Sequence, residues 1–116
     1  MRNFRKLRIW VSAVDFTKNV YLLTNEFPFH EKYGLSSQMQ RAAVSIASNI
    51  AEGSSRKSQV DFARFLEISI GSSFEIETQL IIAKGLNYIK EEKFNEMINQ
   101  LTVIQKQTNQ LISKLR

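Results

Sequence analysis

Four polar side chains, Arg41, Ser45, Asn49 and Glu52, recur at steps of three and four residues between Gln40 and Gly53. That spacing puts them on one face of a helix beside an alanine-rich stripe. A guanidinium, a hydroxyl, a carboxamide and a carboxylate in line form a polar ladder, and two readings of it stay open. In the first, Arg41 pairs with an acid on a neighbouring helix, Glu75 or Glu77, while Ser45 and Asn49 satisfy buried amides or carbonyls. In the second, Arg41 stays accessible and heads a polar pocket for a small anion or a partner's peptide.

A second constellation is purely cationic. Arg2, Arg5, Lys6 and Arg8 crowd the start of the chain, and Arg56 and Lys57 follow Gly53 in a turn-like segment. The formal charge is +5, and up to Arg64 the bases outnumber the acids while the remainder is balanced. Such an excess either keeps a helical protein soluble or forms an electrostatic footprint for RNA or DNA. In the second case the chemistry is phosphate contact without base readout, with strong salt dependence and weak sequence preference.

Other chemistries lack their parts. The chain has no cysteine, hence no disulfide, thiolate nucleophile or sulfur-ligated zinc. Its one histidine, His30, follows Phe27-Pro28-Phe29 and reads as a surface or capping residue. Glu75 with Glu77, and Glu91 with Glu92, stand two and one residues apart on helices, point to different faces, and cannot share a proton or clamp a metal. No helical segment carries the Glu-x-x-His motif of di-iron bundles, and Gly71 and Gly85 do not form a phosphate fingerprint. The expectation is a protein that is not an enzyme, with no cofactor and no metal. No apolar run approaches the roughly 18 residues of a membrane span, and no secretory signal follows the basic start, so a cytoplasmic location without membrane contact is expected.

The elements that must position these residues are helices. At 116 residues the chain is one domain's length, and Pro28 is its only proline. Leu7, Trp10, Val11, Val14, Tyr21 and Leu22 predict a first helix over about Arg5 to Thr24. Pro28 and a left-handed turn at Gly34 make the first connection. Ser37 and Gln40 have the form of a capping box that opens a second helix, which Gly53 would end. Ser58 and Asp61 open a third, whose stripe Phe62, Phe65, Leu66, Ser69, Ser73, Ile76, Leu80 and Ala83 runs to about Asn87. Ile68, Ile70, Phe74, Ile81 and Ile82 lie outside that stripe, and this surplus suits a subunit interface. A fourth helix spans about Lys90 to Leu115, with Thr108 the polar residue in its seam. Four helices with short loops predict an all-α, up-and-down antiparallel bundle over 1–116. In that bundle the start of the first helix and the second turn share an end, so the cationic clusters merge into a basic rim.

The residues also carry a resemblance. Trp10, Tyr21-Leu22-Leu23-Thr24, Phe27-Pro28, Glu31, Tyr33-Gly34-Leu35, Gln38, Arg41-Ala42-Ala43-Val44-Ser45-Ile46, Ser48-Asn49-Ile50-Ala51-Glu52-Gly53, Phe65-Leu66 and Gly71-Ser72, with Glu75 and Glu77 beyond, closely resemble the 23S rRNA-intervening sequence proteins. The resemblance implies an up-and-down bundle assembled as a homopentamer and a gene sometimes found inside an rRNA insertion. It implies no known biochemical activity. A related branch, the accessory variability proteins of diversity-generating retroelements, is similar in fold and pentamer and binds nucleic acid and a reverse transcriptase through a basic surface. Where such families have Arg-Arg before the alanine pair, this chain has Gln40-Arg41, one positive charge fewer. The expectation is weak, sequence-nonspecific nucleic-acid binding by an oligomer, with a protein-binding scaffold as the alternative.

Overall fold

Apolar residues spaced three and four apart fold into four α-helices: α1 Arg8–Thr24, α2 Leu35–Ser54, α3 Gln59–Gly85 and α4 Glu91–Leu115. The computed structural model describes residues 2–116, and no strand occurs among them. Single 3-10 turns at Phe4–Lys6 and Phe29–Glu31 precede α1 and α2. Each helix packs on the one before it, and α4 returns to α1. Arg2 reaches the carbonyl of Ser54 at one end, and Tyr88 reaches Glu31 at the other. The chain therefore runs up and down a closed ring of four helices measuring 44 × 24 × 20 Å.

The core face of α1 is not the stripe its spacing suggested. Ile9, Ala13, Phe16, Val20 and Leu23 are buried, whereas Val11, Tyr21 and Leu22 are exposed. Leu7 and Trp10 are half-buried at the edge of the core. This helix is apolar around most of its circumference, so periodicity admits two registers and packing chooses between them. The chosen one sets Ala13, fully buried, near the equally buried Ala43, and the backbones come close enough for the Thr17 hydroxyl to donate to Ala43 O at 3.1 Å. On α3 the expected stripe is correct but for one residue: Phe62, Leu66, Ser69, Ser73, Ile76, Leu80 and Ala83 are buried, whereas Phe65 is half-buried at the edge. On α4, Met97, Leu101, Ile104 and Thr108 are buried, and Thr108 donates to Ile104 O at 2.7 Å, so it is a satisfied core threonine.

Helix ends differ from the expected ones for local reasons. Residues 4–6 turn separately from α1, because Leu7 is extended with φ −74° and ψ 124°. The Ser37–Gln40 capping box does not form: α2 begins at Leu35, whose N–H donates to Glu31 Oε1 at 3.2 Å, and Gln40 instead donates to Thr24 Oγ1. Gly34 has φ −109° and is not left-handed. The left-handed residue is Asn87, at φ 64°, in the turn between α3 and α4. Gly53 does not end α2, which continues to Ser54; it lies buried under Phe62 and Phe65. The Ser58 cap on α3 is as expected, its Oγ accepting from Asp61 N at 3.0 Å.

Candidate nucleic-acid interface

The turn between α2 and α3 is built to present cations. Ser54 and Ser55 donate their hydroxyls to Ala51 O and Glu52 O at 2.7 and 2.6 Å, tightening the last turn of α2. Its remaining carbonyls attract positive charge, as a helix C-terminus does. Arg2 answers them, Nη1 donating to Ser54 O at 3.3 Å and Arg56 O at 2.5 Å. This draws the N-terminal arm across the turn, and Asn3 steadies the arm by accepting from Arg5 N at 3.2 Å.

Aromatic rings from the first turns of α3 then hold the guanidinium groups. Arg2 lies 4.6 Å from the centroid of Phe62, and Arg56 lies 4.6 Å from that of Phe65. Arg64 approaches the same Phe65 ring at 5.6 Å. Arg2, Ser54, Ser55, Arg56 and Lys57 surround an open hollow of about 540 Å³. None of Arg2, Arg56 and Lys57 has an ion-pair partner among the described residues. Three cations thus face one space with no carboxylate to neutralise them.

The six expected contact residues separate into two groups. Arg2, Arg56 and Lys57 come together. Arg5 packs on its neighbour Phe4 at 4.6 Å, Lys6 is exposed beyond it, and Arg8 lines another hollow with Gln107 and Gln110. Arg64 belongs to the cationic surface, with buried Phe62 and half-buried Phe65 beneath it, and none of the three was singled out for it from the sequence. Two phenylalanines three apart, directly after an Arg-Lys turn, are the signal that points to them.

The polar ladder divides as well. Asn49 Nδ2 donates to Ser45 O and Oγ at 2.9 and 3.0 Å, and the Ser45 and Ser72 hydroxyls meet at 2.8 Å across α2 and α3. Ser69 adds a bond to Ile46 O at 2.8 Å. These small side chains knit the two helices. Arg41, Glu52 and Glu75 are exposed, and no ion pair joins Arg41 to Glu75 or Glu77. Glu77 instead accepts from Gln105 Nε2 at 2.9 Å.

At the opposite end, Glu31 fastens two loops. Its Oε2 accepts from Tyr88 OH at 2.9 Å, and its Oε1 accepts from Leu35 N. His30, largely exposed, lies 3.4 Å from the same phenol. The Tyr88 hydrogen bond, and after it the Leu35 amide, hold the Glu31 carboxyl below the usual carboxylate range, while the anion pushes the Tyr88 phenol up. A depressed acid contributes stability above its unfolded value, and the contribution disappears as pH falls through the folded one. Urea titration of Tyr88→Phe is therefore expected to show a deficit against the wild type at pH 7 that shrinks at pH 3, below the ordinary Glu value of 4.5. An equal deficit at both pH values would mean that the hydrogen bond is not charge-assisted. Among the described residues no group of histidine, aspartate and glutamate is placed to hold a metal ion, and no helix is long and apolar enough to cross a membrane.

Comparison with known proteins adds two findings. The family described as 23S rRNA-intervening sequence protein matches residues 5–110. A crystal structure of a protein with unknown function from the S23 ribosomal protein family from Bacteroides thetaiotaomicron superposes with a TM-score of 0.80 at 26% identity, covering 90% of this chain and 97% of that one. No curated protein matches the sequence.

Proposed function

The chain belongs to the 23S rRNA-intervening sequence protein family, and from that premise we propose that it is a non-enzymatic, self-associating helical protein of the cytoplasm that binds RNA or DNA weakly through phosphates. The observation that carries the nucleic-acid part is the trio Arg2, Arg56 and Lys57 around one open hollow without an acidic partner. Unpaired cations neutralise phosphates and release counterions, and nothing in the trio reads a base edge.

Self-association rests on α3. Ile68, Phe74, Ile81 and Ile82 are 46%, 55%, 55% and 48% exposed, four large apolar side chains on the outside of one helix. Ile70, the fifth apolar residue outside the core stripe, is half-buried, and this much exposed apolar surface on one helix suits contact with another copy. A closed ring of five copies would cover it and repeat the basic end around the ring. Light scattering at several concentrations is expected to give a multiple of the 13.4 kDa chain mass. A strict monomer would overturn this part.

With the three cations of each copy neutralising about two phosphate charges, single-stranded RNA affinity is expected to fall about sevenfold between 50 and 200 mM salt, a log–log slope of roughly −1.4. Filter binding of mixed-sequence RNA measures it. Binding that persists unchanged above roughly 0.5 M salt, or no binding at low salt, would contradict the mechanism. One observation favours a second reading, a protein-binding scaffold: Phe29 and Tyr33 stand 81% and 86% exposed on the loop that Glu31 ties to Leu35 and Tyr88. A stoichiometric protein partner retained after nuclease treatment, and lost in Phe29→Ala, would favour the scaffold.

A further inference from the structure

We infer that the hollow at the α2–α3 turn is a socket for a terminal phosphate group, so that the protein holds the phosphorylated end of a nucleic-acid strand in preference to its interior. The inference rests on the nucleic-acid reading above and goes beyond it in naming which phosphate the cations take.

The arrangement of charge carries the argument. A surface that follows a backbone spreads its cations along a groove and meets one phosphate with each. Here Arg2, Arg56 and Lys57 line a single hollow of about 540 Å³. An internal phosphodiester brings one negative charge and two free oxygens. A terminal phosphomonoester brings roughly −1.5 to −2 charges at pH 7 and three acceptor oxygens. Three cations lining one hollow match the second group in charge, and each charge-assisted bond to it is stronger than its neutral counterpart.

The donors are also fixed in advance. Phe62 and Phe65 each hold a guanidinium carbon 4.6 Å from the ring centroid, and two carbonyls accept from Nη1 of Arg2 while its Nη2 and Nε have no acceptor among the described residues. Planar guanidinium groups held this way lose little freedom when phosphate arrives. The two serines contribute shape and no donors, since their hydroxyl protons already go to Ala51 O and Glu52 O. The side-chain donors left at the hollow are the cationic ones, which favours the most highly charged oxygen cluster on the strand.

The test compares one short single-stranded RNA with and without a 5′ phosphate, at fixed low salt, by fluorescence anisotropy. The phosphorylated strand is expected to bind about tenfold more tightly, the effect of one additional charge-assisted contact. Arg56→Gln combined with Lys57→Gln is expected to bring the two strands to equal affinity while the circular dichroism spectrum stays helical, because both side chains are exposed. Equal affinity of the two strands for the wild type would overturn the socket and leave phosphate-based binding standing. Failure of both strands to bind would overturn the nucleic-acid reading itself. Adenosine monophosphate binding as tightly as the phosphorylated strand would assign the socket to a free nucleotide and overturn the strand-end assignment.

Discussion

Gly53→Ala is expected to lower unfolding stability by about 2–3 kcal/mol, although alanine is the better helix former by roughly 1 kcal/mol. A Cβ at position 53 would sit 2.6 Å from Phe65 Cβ, 3.0 Å from Phe62 Cδ1 and 3.3 Å from Phe62 O. Two of these three atoms, a carbonyl oxygen and a Cβ, cannot swing aside as the end of a flexible side chain would. The methyl group must therefore push α2 and α3 apart along the most extensive helix contact in the molecule. Thermal unfolding should register a fall of roughly 8–12 °C, at about 4 °C per kcal/mol for a domain of this size. Gly71 supplies the control. It lies in the same class of helical position, a Cβ there meets nothing within 4 Å, and Gly71→Ala should raise stability of the isolated chain by up to about 1 kcal/mol. A neutral Gly53→Ala would show that the helices are not in contact as described. Because Phe62 and Phe65 also hold Arg2 and Arg56, the same substitution should weaken RNA binding.

Phe16→Ala should cost more, about 3–5 kcal/mol, measured by the urea midpoint at unchanged slope. The ring is completely buried at the centre of the α1 face, within the cluster that includes Ile46, Ile50, Leu66 and Met97. Its removal forfeits the apolar transfer of a large side chain and leaves a cavity that four packed helices close only partly. With total stability in the ordinary range of about 5–15 kcal/mol, the variant stands near the threshold of folding. Phe16→Leu keeps most of the volume and should cost less than about 1.5 kcal/mol. If instead Val11→Ala or Leu22→Ala proved as damaging as Phe16→Ala, the register of α1 would be the one its first stripe suggested, with Val11 and Leu22 inside.

Parts of the functional surface were legible beforehand, and parts were not. The grouping of Arg56 and Lys57 with the N-terminal bases followed from alternation of direction along the bundle, since only helix order decides which ends meet. Which N-terminal base would matter did not follow. Arg2 is drawn in by the carbonyls of Ser54 and Arg56, whereas Arg5 folds back on Phe4, and both outcomes depend on the extended conformation of Leu7. The ladder shows the same limit. Spacing put Arg41, Ser45, Asn49 and Glu52 on adjacent positions, yet only Ser45 bonds across to α3, Asn49 donating back to Ser45 within α2, and the partner of Ser45, Ser72, is a residue that no periodicity marks.

Local chemistry in the chain by itself determined the number and approximate extent of the helices, the Ser58 cap, most of the α3 core face and the absence of thiol chemistry. These depend on neighbours within about one turn or on the count of a residue type. Tertiary packing alone decided the face that α1 buries, the role of Gly53 as a point of contact between helices, the fate of Ser37 and Gln40, and the meeting of three cations at one hollow. Each of those is settled by how closely two helices can approach, and that distance belongs to the pair of helices rather than to the sequence of either one.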